Sequence, residues 1–140
     1  MKNFIFLGLS IILFSCATQK KMVKTELKDN QTFLLKEISE DPSYGYTKRN
    51  PIEVGGVDKK EGPVNERRFL NALAEPNGEK ITYFRAGSCC SFKSKNGFMG
   101  MGLLDNYRVS WIGSKDTVSI YINMYDYGEL KAPSGFTIID

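Results

Sequence analysis

Thr117-Val-Ser-Ile-Tyr-Ile-Asn-Met-Tyr125 is the stretch that decides how the chain folds. Val118, Ile120, Ile122 and Met124 fall on one side of an extended chain; Ser119, Tyr121, Asn123 and Tyr125 fall on the other. Successive side chains of a strand point to opposite faces, so this segment has one wholly apolar face and one polar-aromatic face. That is the pattern of a half-buried antiparallel strand. The segment before it repeats the pattern, with Tyr107, Val109 and Trp111 alternating against Arg108, Ser110 and Ile112. Further upstream, residues 80–90 alternate as well, Ile81, Tyr83 and Arg85 against Thr82, Phe84 and Ala86. Asn96-Gly97 predicts a type I′ hairpin turn, because both central residues of that turn need positive φ. It should join residues 91–95 to residues 98–103.

Outward from these strands the signals are weaker. Residues 63–74 predict a helix: Pro63 suits a first turn, Phe69, Leu70 and Leu73 share a face, and Pro76-Asn77-Gly78 stops it. Glu66, Arg67 and Asn71 are expected to face elsewhere. Residues 32–39 and 52–54 read as short strands, the second closed by Gly55-Gly56, and residues 136–139 as an edge strand. Asp41-Pro42 and Asn50-Pro51 mark loop. Together these give an α+β fold, an antiparallel sheet of about five to seven strands with one helix packed on one face. A single domain over residues 31–140 is expected.

The N-terminal part reads differently. Residues 4–14, F-I-F-L-G-L-S-I-I-L-F, are apolar apart from Gly8 and Ser10; Lys2 precedes them and Leu13-Phe14-Ser15-Cys16 closes the run. About 20 apolar residues are needed to span a bilayer, so the run is too short for a simple transmembrane helix. A basic start and a short apolar core form the secretory pattern. With its closing cysteine it resembles a bacterial lipoprotein signal peptide. The resemblance implies that residues 1–15 are removed and that Cys16 carries acyl chains such as palmitate. Ala17 after that cysteine implies sorting to the outer membrane. Residues 16–30 are polar and free of aromatics, and read as a flexible tether.

Composition narrows the chemistry. A formal charge of +3 over 140 residues makes no case for nucleic acid. The chain has no histidine, which excludes Ser-His and Cys-His nucleophile pairs and histidine-held zinc. Gly97-Phe-Met-Gly-Met-Gly102 lacks the Lys-Ser/Thr of a phosphate loop, and no cofactor or metal is called for. The carboxylates are scattered, and no motif marks a catalytic pair.

Two sets of residues are candidates for function. Cys89 and Cys90 are neighbours. Four readings stand open: buried thiols, a vicinal disulfide favoured by an oxidising compartment, a redox or metal-binding pair, or a bridge to another chain. Trp111, Tyr121, Asn123, Tyr125 and Asp126 could bind a sugar or peptide by stacking and hydrogen bonding, against the reading that such aromatics are core or cross-strand pairs. Arg67, Arg68, Arg85 and Arg108 could gather into an anion site or remain solvated singly.

Several stretches together resemble a family of small lipoproteins from the Bacteroidota. They are Ser43-Tyr-Gly-Tyr-Thr-Lys, Asn50-Pro-Ile-Glu-Val-Gly-Gly, Gly62-Pro-Val-Asn-Glu-Arg-Arg-Phe-Leu-Asn-Ala-Leu, Gly87-Ser-Cys-Cys-Ser-Phe and Ile120-Tyr-Ile-Asn-Met-Tyr-Asp. The resemblance implies an envelope location and a shared fold. Some members carry the label 2-dehydro-3-deoxyphosphooctonate aldolase; enzymes of that chemistry use a (β/α)₈ barrel of roughly 250 residues, far more than this chain holds. The expected function is therefore a lipid-anchored, non-enzymatic binding or structural protein of the outer membrane, with an envelope protein or glycan as partner. The alternative is a small envelope enzyme using Cys89 and Cys90 for redox chemistry, or carboxylates on a sugar.

Overall fold

The computed structural model describes residues 25–140; Cys16, the expected signal segment and most of the expected tether lie outside them. In chain order the elements are β1 (Leu27–Asp29), β2 (Thr32–Phe33), β3 (Ile52–Glu53), a 3-10 turn (Val57–Lys59), α1 (Gly62–Asn71), β4 (Leu73–Ala74), β5 (Thr82–Phe98), β6 (Met101–Ser110), β7 (Val118–Asn123) and β8 (Thr137–Ile138). The chain is mostly sheet with one α-helix among the described residues.

The expected single antiparallel sheet of five to seven strands is corrected. Its main sheet has four strands in the order β3-β7-β6-β5, and β1-β2 and β4-β8 form separate two-stranded pairs. It is also mixed, since β3 runs parallel to β7 while β5, β6 and β7 are antiparallel. The sheet stays narrow because β1, β2, β4 and β8 are only two or three residues long. They clip loops together rather than extend a ladder.

The alternation in β7 is used as read. Ile120 and Ile122 are fully buried and meet Tyr107 and Val109 from β6, Ile52 from β3, and Phe69 and Leu70 from α1. The helix therefore covers one face of the sheet. α1 is shorter than its apolar pattern suggests. Leu73 and Ala74 leave it to pair with Ile138 and Thr137, and Ile139 N–H donates to the Ala72 carbonyl. A partner more than sixty residues away thus ends the helix. Glu66 is a further correction: it does not face solvent but is wholly buried.

The hairpin forms, but not around Asn96-Gly97. β5 runs on to Phe98, and the tight turn falls on Met99 and Gly100, with φ of 52° and 78°. Both central residues of a type I′ turn have positive φ, as these do. Asn96 is held elsewhere: its N–H meets Ser94 Oγ and its side-chain amide donates to Asp126. Gly97 remains obligatory for another reason. A Cβ there would collide with the Met101 carbonyl oxygen.

At the other boundary, ordered pairing starts at Leu27, within the stretch expected to be tether, because Leu27 and Asp29 pair with Phe33 and Thr32. The predicted strand over residues 32–39 is reduced to β2 and an isolated bridge from Ile38 to Ala132.

Candidate functional site

The disulfide bulge comes first. Cys89 and Cys90 are joined to each other, with Cα atoms 3.7 Å apart. Of the four sequence readings this is the vicinal disulfide. Cys89 pairs with Leu104 and Ser91 with Leu103, so Cys90 is an extra residue in β5. Its φ of 58° lies in the left-handed region, which a side chain other than glycine enters at a cost. A second register shift sits between Arg85 and Gly87. Both bulges lie on β5, the last strand of its sheet, where irregularity discourages pairing with another chain.

The aromatic and polar candidates separate. Trp111 packs edge-on against Phe136, ring centroids 5.8 Å apart, at the margin of the core. Tyr125 meets Phe92 edge-on at 5.9 Å, and the two rings close over Gly102. Asn123 is buried; its Oδ1 accepts from the N–H groups of Tyr125 and Asp126, and its Nδ2 donates to Asp126 Oδ2. The remaining Asp126 oxygen accepts from Ser94 Oγ at 2.7 Å and Asn96 Nδ2 at 3.0 Å. Asn123 and Asp126 therefore lock the end of β7 to the hairpin. Tyr121 stays on the polar face of the sheet as expected, opposite Asn106.

That face presents a different group. Phe84 pairs with Arg108, Arg108 with Ser119, and Asn106 with Tyr121. Cross-strand partners point the same way, so Phe84, Arg108 and Tyr121 lie together on the face opposite α1. Phe84 is largely exposed. Arg108 is held in place by Thr117 Oγ1 at 2.6 Å and Ser119 Oγ at 2.7 Å.

The arginines do not gather. Arg68 donates to the Asn30 carbonyl, Asn65 and Glu61, while Arg108 and Arg85 lie on opposite faces of the sheet. Arg85 instead belongs to a cluster that no motif marked. Asp105, 2% exposed, accepts from Arg85 Nε at 2.6 Å and Nη2 at 2.9 Å, and from Ser88 Oγ at 2.7 Å. Beneath it lies Glu66, 0% exposed, whose Oε2 accepts from the Tyr107 hydroxyl at 2.9 Å. Burial, followed by the negative charge of Asp105, pushes the Glu66 carboxyl up to about 8. Its Oε1 has no hydrogen-bond partner of its own. A proton on Glu66 resolves both facts, because a neutral carboxyl can donate toward Asp105. Arg85 lies above the group, its side chain 48% exposed, with its own proton held more firmly by Asp105. The sequence did hold a signal: Glu66 shares the helical face of Phe69, Leu70 and Leu73. No protein-family model, no curated protein and no solved structure matches this chain.

Proposed function

We propose that this chain is a lipid-anchored protein of the cell envelope, sorted to the outer membrane, that binds a protein or glycan partner without catalysing a reaction. The observation that supports the binding role best is the register bringing Phe84, Arg108 and Tyr121 to one face of the sheet. Aromatic rings and arginine are the side chains that most often dominate recognition surfaces. Arg108 is already ordered by two hydroxyls, so little freedom is lost when a ligand meets it. The disulfide between Cys89 and Cys90 supports an exported location, since such bonds persist in oxidising compartments. The pattern ending at Cys16 and the resemblance to small Bacteroidota lipoproteins support the same address.

Two measurements test this reading. Mass spectrometry of protein from its native host should find an acylated Cys16 at the amino terminus. An intact Met1 in the cytosolic fraction would refute the anchor. Glycan arrays and envelope pull-downs should find a ligand whose affinity drops about tenfold or more in Phe84→Ala or Tyr121→Ala. Binding that neither substitution changes would remove the sheet face from the proposal.

A second reading rests on the disulfide alone, as a redox pair exchanging with a dithiol. It would require Cys89→Ser to abolish a measurable reductase or isomerase activity. The aldolase label fits the chain poorly, because the one α-helix and four-stranded mixed sheet among the described residues are not eight βα units.

A further inference from the structure

The far end of the β5–β6 hairpin is apolar and open to water. Phe98 is 85% exposed and Met99 87%, and Met101 and Leu103 behind them are also exposed. Apolar side chains concentrated at a turn, on a ribbon narrow enough to offer no groove, do not form the flat complementary patch of a typical protein interface. Four exposed lysines accompany them. Lys93 and Lys95 stand in the same hairpin, and Lys59 and Lys60 lie in and just after the 3-10 turn that packs against β5. The acids at this end are already engaged. Asp126 accepts from Ser94, Asn96 and Asn123; Asp58 accepts from Tyr127; Glu61 meets Arg68. Asp126 and Asp58 keep their charge under hydrogen bonds from neutral groups and Glu61 is offset by Arg68, so the four lysines outnumber the two acids left without a cation.

The first described residue, Thr25, lies near the 3-10 turn. Thr25 lines one surface hollow with Lys59, Glu61 and Tyr127, and Tyr127 follows the Asp126 that grips the hairpin.

We propose that the hairpin tip enters a lipid bilayer, Phe98 and Met99 reaching the boundary between headgroups and acyl chains while Lys59, Lys60, Lys93 and Lys95 meet anionic headgroups. Apolar residues backed by lysines are the composition of interfacial membrane elements. This goes beyond the anchor at Cys16 and does not depend on it: the lipid would fix distance, and the tip would fix orientation. The sheet face opposite α1, carrying Phe84, Arg108 and Tyr121, would then stand beside the membrane rather than against it.

The test uses the full chain with an environment-sensitive fluorophore on Met99→Cys, the native disulfide left oxidised; where Cys16 is not acylated it is replaced by serine, so that the label has one thiol to reach. A second variant carries the label on Lys115→Cys, in the β6–β7 loop at the opposite end of the sheet. Each is mixed with vesicles of phosphatidylethanolamine and phosphatidylglycerol, and the mass of the amino terminus records separately whether Cys16 is acylated. The expected result is a blue shift at position 99, quenching by lipids brominated on their acyl chains, and no shift at position 115. Phe98→Asp, or Lys93→Glu with Lys95→Glu, should abolish the shift. An unshifted label at 99, equally open to aqueous iodide with and without vesicles, overturns the proposal whether or not Cys16 is acylated. A label at 99 protected only by an envelope protein, with no quenching from brominated lipid, assigns the tip to a protein partner and overturns it too.

Discussion

Glu66 shows how a single residue can set the response of the whole domain to pH. A carboxyl in the unfolded chain loses its proton near 4.5, whereas folded Glu66 holds it to about 8. Below the lower value both states are protonated, and the contribution of the buried neutral acid is complete. As pH rises between the two, the unfolded chain releases its proton first, so folding stability falls until Glu66 ionises in place. Denaturation followed across this window should show that decline in the wild type and a flatter profile in Glu66→Gln. An unchanged profile in the variant would mean that another group is responsible. Trp111 supplies the second residue-scale prediction. Because it lies against Phe136, Trp111→Ala should lower stability by about 3 kcal/mol, as truncating a packed aromatic does. Equilibrium denaturation measures this, and ligand affinity of the folded variant should stay level. Spacing puts Glu66 on the apolar face of the helix but its charge argues for solvent, and nothing in the spacing places Trp111 against the core. An acid in a helix looks solvated until the neighbouring strand arrives, and an aromatic on an alternating strand looks free until residue 136 covers it.

Among the elements, the β5–β6 hairpin was the best and the worst predicted. Its existence followed from alternation and from glycine, but its turn did not. Asn96-Gly97 has the right composition, yet Asn96 finds Ser94 and Asp126, and the reversal moves to Met99-Gly100. Glycines 97 and 100 therefore have different physical roles, which substitution separates. Gly100→Ala meets no neighbour and should cost about 1–2 kcal/mol, the penalty of a left-handed conformation. Gly97→Ala meets backbone and should cost more, with the ladder between Phe98 and Met101 opening. Amide hydrogen exchange along the hairpin would check both, and equal effects would mean the two glycines are interchangeable. The helix boundary failed for a related reason. Leu73 continues the apolar helical face, but its backbone is claimed by Ile138. Local pattern gives the kind of element reliably, whereas its last turn is settled by partners distant in sequence.

At the scale of the molecule, one helix, apolar β7 and a half-covered sheet were legible. The sheet's width and direction were not. β3 joins it in parallel, and two residues carry too little pattern to show which strand they will choose. The C-terminal segment completes the core, Phe136 lying between Tyr46 and Trp111. Phe136→Ala should lower stability by about 3–5 kcal/mol in one cooperative urea transition. A separate early transition would show the segment to be an independent unit. Its position has a consequence for biogenesis. β3 waits for β7, and β4 and the end of α1 wait for β8 and Ile139. A growing polypeptide lacks its clasp until residues 137–139 have left the ribosome, and so remains threadable. If the chain is exported as proposed, a translocon that passes only unfolded substrates would find in this late-closing topology a cargo that does not jam it.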